Sequence, residues 1–241
     1  LNPASIPHTK KMDMGVFYED GYPDLGKHKT LLGISIVDNT EGLMIPGGVG
    51  YFRAKTTDTS YDKKVDEVWV VSIGQFVAPT VSLGLSVFQI KNVPESFEAQ
   101  TQISGSLGAL WTPTSSLGLG LVYYNLKKSD AKIASQLKLH SKVGVGFNYL
   151  LGQLMKIRVD GILQVDENPE DKWVFKAGIE SFFNDYFSLR GGFERDDLAD
   201  KGYYAVGWGF NGPRLKLHYS VKKSVKASGE ALHSVDFRMP F

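Results

Sequence analysis

Residues 136–149 read Gln-Leu-Lys-Leu-His-Ser-Lys-Val-Gly-Val-Gly-Phe-Asn-Tyr, and their alternation decides the fold class. Leu137, Leu139, Val143, Val145, Phe147 and Tyr149 fall on one face, and Lys138, His140, Lys142, Gly144, Gly146 and Asn148 on the other. Successive side chains of a strand point to opposite faces, so a period of two predicts a strand with one apolar and one polar or small face. The pattern returns in Met155–Val165, where Met155, Ile157, Val159, Leu163 and Val165 oppose Lys156, Arg158, Asp160 and Gln164. It returns again in Arg214–Val221, with Leu215, Leu217, Tyr219 and Val221 against Arg214, Lys216, His218 and Ser220.

Working outward in both directions, fourteen segments read this way: 11–19, 29–38, 49–57, 64–77, 81–91, 97–111, 117–127, 136–149, 154–165, 172–183, 187–195, 202–210, 214–223 and 231–241. No convincing helix remains. The composition agrees, since 26 glycines in 241 residues exceed the usual ~7%, and glycine is poor inside helices. The longest uncharged stretch, 99–126, contains Pro113 and breaks at Thr112–Ser116, so it is not a membrane helix. A hydrophobic content of 42% excludes a disordered chain. With no cysteine, disulfides, thiolate metal sites and cysteine nucleophiles are excluded. The balance of 27 Lys+Arg against 26 Asp+Glu argues against a whole-chain grip on nucleic acid.

The connections alternate in length. Residues 78–80, 112–116, 150–153, 184–186 and 211–213 are short, whereas 20–28, 58–63, 92–96, 128–135, 166–171, 196–201 and 224–230 are longer and charged. The exception is Asn39–Gly48, long where a tight turn is expected. Tight turns at one end and longer loops at the other are the pattern of a transmembrane β-barrel. Alternation alone does not separate this from a soluble sandwich, which turns its apolar face inward. Three features favour the membrane: strands well above the usual ~5–6 residues, an even strand count that brings both termini to one side, and aromatics near strand ends. The last are Tyr18, Trp69, Trp111, Tyr149, Trp173, Phe210 and Phe241, placed as girdles at the two bilayer interfaces. The expectation is an all-β protein, a 14-stranded antiparallel transmembrane barrel over residues 11–241, in contact with outer-membrane lipid and closed by pairing of its first and last strands.

The chain ends Val235-Asp236-Phe237-Arg238-Met239-Pro240-Phe241. The alternation of Phe237, Met239 and Phe241 resembles the assembly signal of bacterial outer-membrane barrels, which implies recognition by the barrel assembly machinery. Pro240 lacks a ladder donor and is expected to face the lumen and end the pairing one residue early. Near the other end, Asn2-Pro3-Ala4 stands just before the first strand. Together with fourteen strands, this resembles the FadL-type superfamily of outer-membrane transporters, which includes the PorV-like barrels of secretion systems. The resemblance implies that Asn2, Pro3 and Ala4 belong to a lumen-plugging hatch, of which residues 1–10 are the remnant. It implies passive transport of hydrophobic or amphipathic small molecules; the alternative is a barrel that anchors partners of a secretion or envelope complex.

The predicted inward faces differ around the barrel. Lys138, His140, Lys142, Lys156, Arg158, Lys176, Arg190, Arg214, Lys216 and Arg238 line the C-terminal half, with Asp160, Glu180, Glu194 and Asp236 between them. This wall reads either as a solvated, cross-paired lining or as a site that attracts an anionic headgroup. Strands five to seven instead present Ser82, Gly84, Ser86 and Phe88; Gln100, Gln102, Ser104 and Ser106; and Gly118, Gly120, Val122 and Tyr124. These small residues either leave space beside the wall or ease bending of the sheet. A 14-stranded barrel spans roughly 28 Å between backbones, so ten residues are too few to plug it, and a water-accessible lumen with a basic wall is expected.

Catalysis is not expected. His218 and Ser220 share a face but lie on one strand, and an acid such as Asp236 would have to come from its neighbour. No metal-ligand spacing appears and no cofactor is implied. The acidic run 166–171 reads as solvated loop rather than a calcium site.

Overall fold

The structure, a computed structural model, describes residues 2–9, 11–24, 26–57, 63–95, 98–165, 173–197, 200–225 and 231–241. The acidic run 166–171 lies outside them. Fourteen strands form one closed antiparallel barrel in chain order. They are β1 (Lys11–Asp24), β2 (Lys27–Asn39), β3 (Gly47–Thr57), β4 (Lys63–Ala78), β5 (Val81–Pro94), β6 (Gln100–Thr114) and β7 (Leu117–Tyr124). The second half comprises β8 (Lys142–Leu151), β9 (Met155–Gln164), β10 (Trp173–Phe182), β11 (Phe187–Asp196), β12 (Lys201–Asn211), β13 (Lys216–Ser224) and β14 (Ala231–Pro240).

Closure is made by β1 on β14, from Asp13 opposite Pro240 to Gly21 opposite Leu232. An open sheet in hydrocarbon would leave two edges of unpaired backbone groups, each costing several kcal/mol. As expected, β14 ends at Pro240, opposite Asp13, and one further bond follows, from the N–H of Phe241 to the carbonyl of Met12 at 2.8 Å.

The apolar faces point outward and stay exposed, including Val145, Ile157, Ile179, Val206 and Val235. Of the expected aromatics, Tyr18, Trp69, Trp111, Tyr149, Trp173 and Phe241 are exposed on the outer surface. Among the described residues the buried hydrophobic side chains are Ala4, Ile6, Val122, Leu137, Val174 and Leu232. So small an apolar core for so long a chain has a physical reason: the apolar surface is matched to lipid, not to itself.

Two expected strand starts need correction because they bear on the wall residues. Strand eight begins at Lys142, not at residue 136, because Ser135–Leu137 forms a 3-10 turn and residues 138–141 are irregular. Asn125 at φ 59° turns the chain away after β7, and the segment finds its partners on β6 instead of in the ladder. Leu137, expected to face lipid, is 8% exposed, and its carbonyl accepts from Gln102 Nε2 at 2.8 Å. Strand thirteen begins at Lys216, because the N–H of Gly212 closes a turn on the carbonyl of Leu215 at 2.8 Å. Arg214 therefore sits in that turn, exposed.

Candidate functional site in the lumen

The lumen is built from the inward faces and from two segments folded against them. The first is N-terminal. Pro3–His8 forms a 3-10 helix with proline near its start, capped by Asn2, whose side-chain oxygen accepts from the N–H of Ala4 at 2.9 Å. The Asn2 amide donates across the barrel interior to the carbonyls of Ala109 on β6 at 2.9 Å and Leu121 on β7 at 3.4 Å. Ser82 Oγ donates to the carbonyl of Ala4 at 2.7 Å and receives His8 Nε2 at 3.0 Å. Asn39 Nδ2 donates to the carbonyls of Pro7 and Thr9 at 2.9 and 2.8 Å. Pro3, Ala4, Ile6 and Pro7 are buried.

The small residues of the β4–β7 wall serve this contact. A Cβ at Gly84 would collide with the backbone of Pro3 and Ala4, and one at Gly108 with the Asn2 side chain. The glycines thus allow close backbone approach, the use of glycine that a bend alone does not require. The space read from the sequence beside strands five to seven is filled at this end by residues 2–8.

The second segment, residues 125–141, caps the same side near the loop end. Gln100 accepts from the N–H of Ala134 at 3.1 Å, Gln102 accepts from Ser129 Oγ, and Ser104 Oγ donates to the carbonyl of Lys127 at 3.1 Å. Lys138 and His140 belong to this segment and are exposed. With Arg214, they are the three expected wall residues that lie off the barrel strands.

The remaining wall is ordered by ion pairs within and between strands. Arg190 on β11 meets Glu180 on β10 at 2.6 Å. Lys176 on β10 and Lys222 on β13 both reach Glu194 on β11, at 3.4 and 2.9 Å. Arg158 pairs with Asp160 at 2.8 Å and Arg238 with Asp236 at 2.9 Å. Lys29 and Ser234 converge on Glu19 at 3.0 and 3.1 Å. Lys142, Lys156 and Lys216 have no such partner among the described residues. Lys222, Glu19 and Lys29 were missed in the sequence. Lys222 merely continues the alternation of strand thirteen, and Glu19 and Lys29 stand at the ends of the segments 11–19 and 29–38, on their inward parity. His218 Nε2 lies 3.0 Å from Asn211 Oδ1, and its Nδ1 lies 3.7 Å from Asp236; Ser220 instead faces Ser234 across the strand pair. His218 is held by these wall residues.

A cavity of about 660 Å³ lies between the N-terminal segment and the β7–β10 wall. Asn2 and Ser5 bound it on one side; Leu110, Val122, Tyr124 and Ile162 supply apolar lining, and Lys156, Arg158 and Lys176 carry charge around Asp160. The assembly-signal residues lie elsewhere: Phe237 and Met239 are on the outer face opposite Val16 and Met14, and Phe241 follows at the terminus.

An even-stranded closed barrel with an apolar exterior, exposed aromatics and a charged lumen is a transmembrane β-barrel of the outer-membrane type. No family profile matches the chain and no curated protein matches it in sequence. Its fold is similar to that of the CymD monoaromatic hydrocarbon channel, with a TM-score of 0.73 at 15% identity over 100% of this chain and 91% of that one. It is equally similar to the Ralstonia pickettii toluene transporter TbuX, at 0.73 and 12% identity over 100% and 92%. A Pseudomonas aeruginosa FadL homologue gives 0.71 at 12% identity over 99% and 92%. The 14-stranded barrel expected from the strand count is thus the fold observed, and these structures share it.

Proposed function

We propose that this chain is a passive channel of the bacterial outer membrane for hydrophobic or amphipathic small molecules, with residues 2–9 as its hatch. The observation that carries the reading is the cavity. It is large enough for a small organic molecule, apolar along Leu110, Val122 and Ile162, cationic along Lys156, Arg158 and Lys176, and bounded by Asn2 and Ser5 of the docked segment. The docked segment that bounds it is held by side-chain hydrogen bonds from Asn2, Asn39 and Ser82 rather than by a strand ladder. Lys142, Arg190, Lys216 and Arg238 extend the charged wall along the lumen. The similar structures described as a hydrocarbon channel and a toluene transporter support this reading. Phe237, Met239 and Phe241 would act earlier, as the signal read by the assembly machinery.

Flux measurements test the proposal. Proteoliposomes holding the barrel should take up a small aromatic or amphipathic probe faster than protein-free vesicles, with saturation set by cavity occupancy. Uptake equal to that of protein-free vesicles, for the intact chain and for Asn2→Ala alike, would reject transport and leave the partner-anchoring role.

A further inference from the structure

The connection between β2 and β3 is long where a tight turn is expected, and it is not slack. Asp38 Oδ1 accepts from the N–H and hydroxyl of Thr40 at 2.9 and 2.6 Å. A turn follows, with the N–H of Leu43 on the carbonyl of Thr40 at 3.2 Å and Gly42 at φ 98°, a value open to glycine at no steric cost. At its far end the carbonyl of Pro46 accepts from the N–H of Gly74 at 3.0 Å. Between these clamps stand Leu43, Met44 and Ile45, exposed by 45%, 83% and 52%.

Gln75 tells where this tip lies. On β4, Gly74 faces the lumen, against Pro3 and Pro7, so the next residue, Gln75, faces outward. Its Nε2 donates to the carbonyl of Met44 at 3.3 Å. The tip is therefore folded onto the outer side of the wall, beside the exposed lipid-facing residues Val49, Ile73 and Val77. The contact also gives a partner to a polar side chain in an otherwise apolar row, where an unpaired amide would be costly.

We infer that Leu43, Met44 and Ile45 form an interfacial wedge that inserts into the lipid leaflet on the turn side, the occupant being phospholipid and not protein. Residues 42–46 carry no charge, and the triplet continues a surface already matched to hydrocarbon. Apolar side chains presented at the boundary of the bilayer add anchoring by burial there. This inference needs the membrane barrel but not transport, so either can fail without the other.

The absence of cysteine makes the test direct. A nitroxide attached at Met44→Cys in phospholipid vesicles is compared with Val71→Cys in the lipid-facing row and Ser115→Cys in a tight turn. The expected ratio of oxygen to nickel-chelate accessibility at position 44 is several-fold above that at 115 and close to that at 71. Ile45→Cys provides a second reporter should the first disturb folding. A water-like ratio at both positions overturns the inference. Shielding from both reagents also overturns it, since that marks coverage by a second copy of the chain. With Gln75→Leu, the ratio at position 44 should fall toward that at 115; no change would remove the amide from the account.

Discussion

The side-chain amide of Asn2 donates to the backbone carbonyl of Ala109 at 2.9 Å, joining residues 107 positions apart across the inside of the barrel. With the bond that the N–H of Ala4 donates to Asn2 Oδ1, one side chain both caps the start of the 3-10 helix and docks it. Asn2→Ala should therefore weaken docking by about 1–3 kcal/mol, the sum of a lost cap and a lost interior hydrogen bond. The strand ladder is untouched, so the barrel should remain folded. A membrane-impermeant maleimide reacting with Ser5→Cys is the readout: its rate should rise in the Asn2→Ala background.

Gly84→Val should displace the same segment from the other side, since its Cβ would occupy the space of the Pro3–Ala4 backbone. The expected result is greater protease cleavage near residues 2–9 with unchanged β-sheet circular dichroism. Loss of the barrel signal in this variant would show that the segment is needed for folding, not only for closure.

Val145 and Gly146 are neighbours in sequence but face different solvents. Val145 is 56% exposed to lipid, so Val145→Arg should destabilise by about 2–4 kcal/mol at mid-membrane depth. A Cβ at Gly146 would lie 2.7 Å from Asp160 Oδ1, so Gly146→Ala should act only through displacement of that flexible carboxylate. Chemical unfolding in lipid vesicles compares the two.

Arg158 and Lys176 border the cavity together. Reversing both to glutamate should shift ion selectivity toward cations in planar bilayers, whereas Lys223→Glu, on the outer face of β13, should not. The effect should shrink at high salt, as screening shortens the reach of the wall charges.

His8 sits against the Phe76 ring at 4.7 Å and against Ser82 Oγ, and burial lowers its pKa below the ordinary value of about 6.5. The undocked segment then binds a proton more readily than the docked one, so docking strengthens as pH rises through that window. It is fully developed above the undocked pKa and weakens as pH falls toward the docked one. Labelling of Ser5→Cys should accelerate on acidification, and His8→Gln should flatten that dependence.

The barrel was legible because its cause is local. Each strand must turn one face to lipid and one to the lumen, so Val145, Ile157 and Val206 declare their side by parity alone, and the even count places both termini together. The ends of strands were less legible, because they depend on competition for backbone partners. Leu137 and Leu139 alternate as a strand would, yet Gln102 takes the Leu137 carbonyl and the segment folds over β6. Alternation reports what a residue could pair with, whereas the partner within reach decides what it does.

By itself the sequence determined the closed antiparallel barrel, its lipid-facing rows and the charged C-terminal wall, since a period of two and side-chain polarity are properties of adjacent residues. Only the tertiary structure decided that Gly84 and Gly108 make room for Pro3, Ala4 and Asn2, that the carboxylates of Glu180 and Glu194 pair across strands, and that Met44 rests on Gln75. These are contacts between residues far apart in the chain, set by barrel curvature and register, and no local pattern encodes which distant backbone will come to fill an open space.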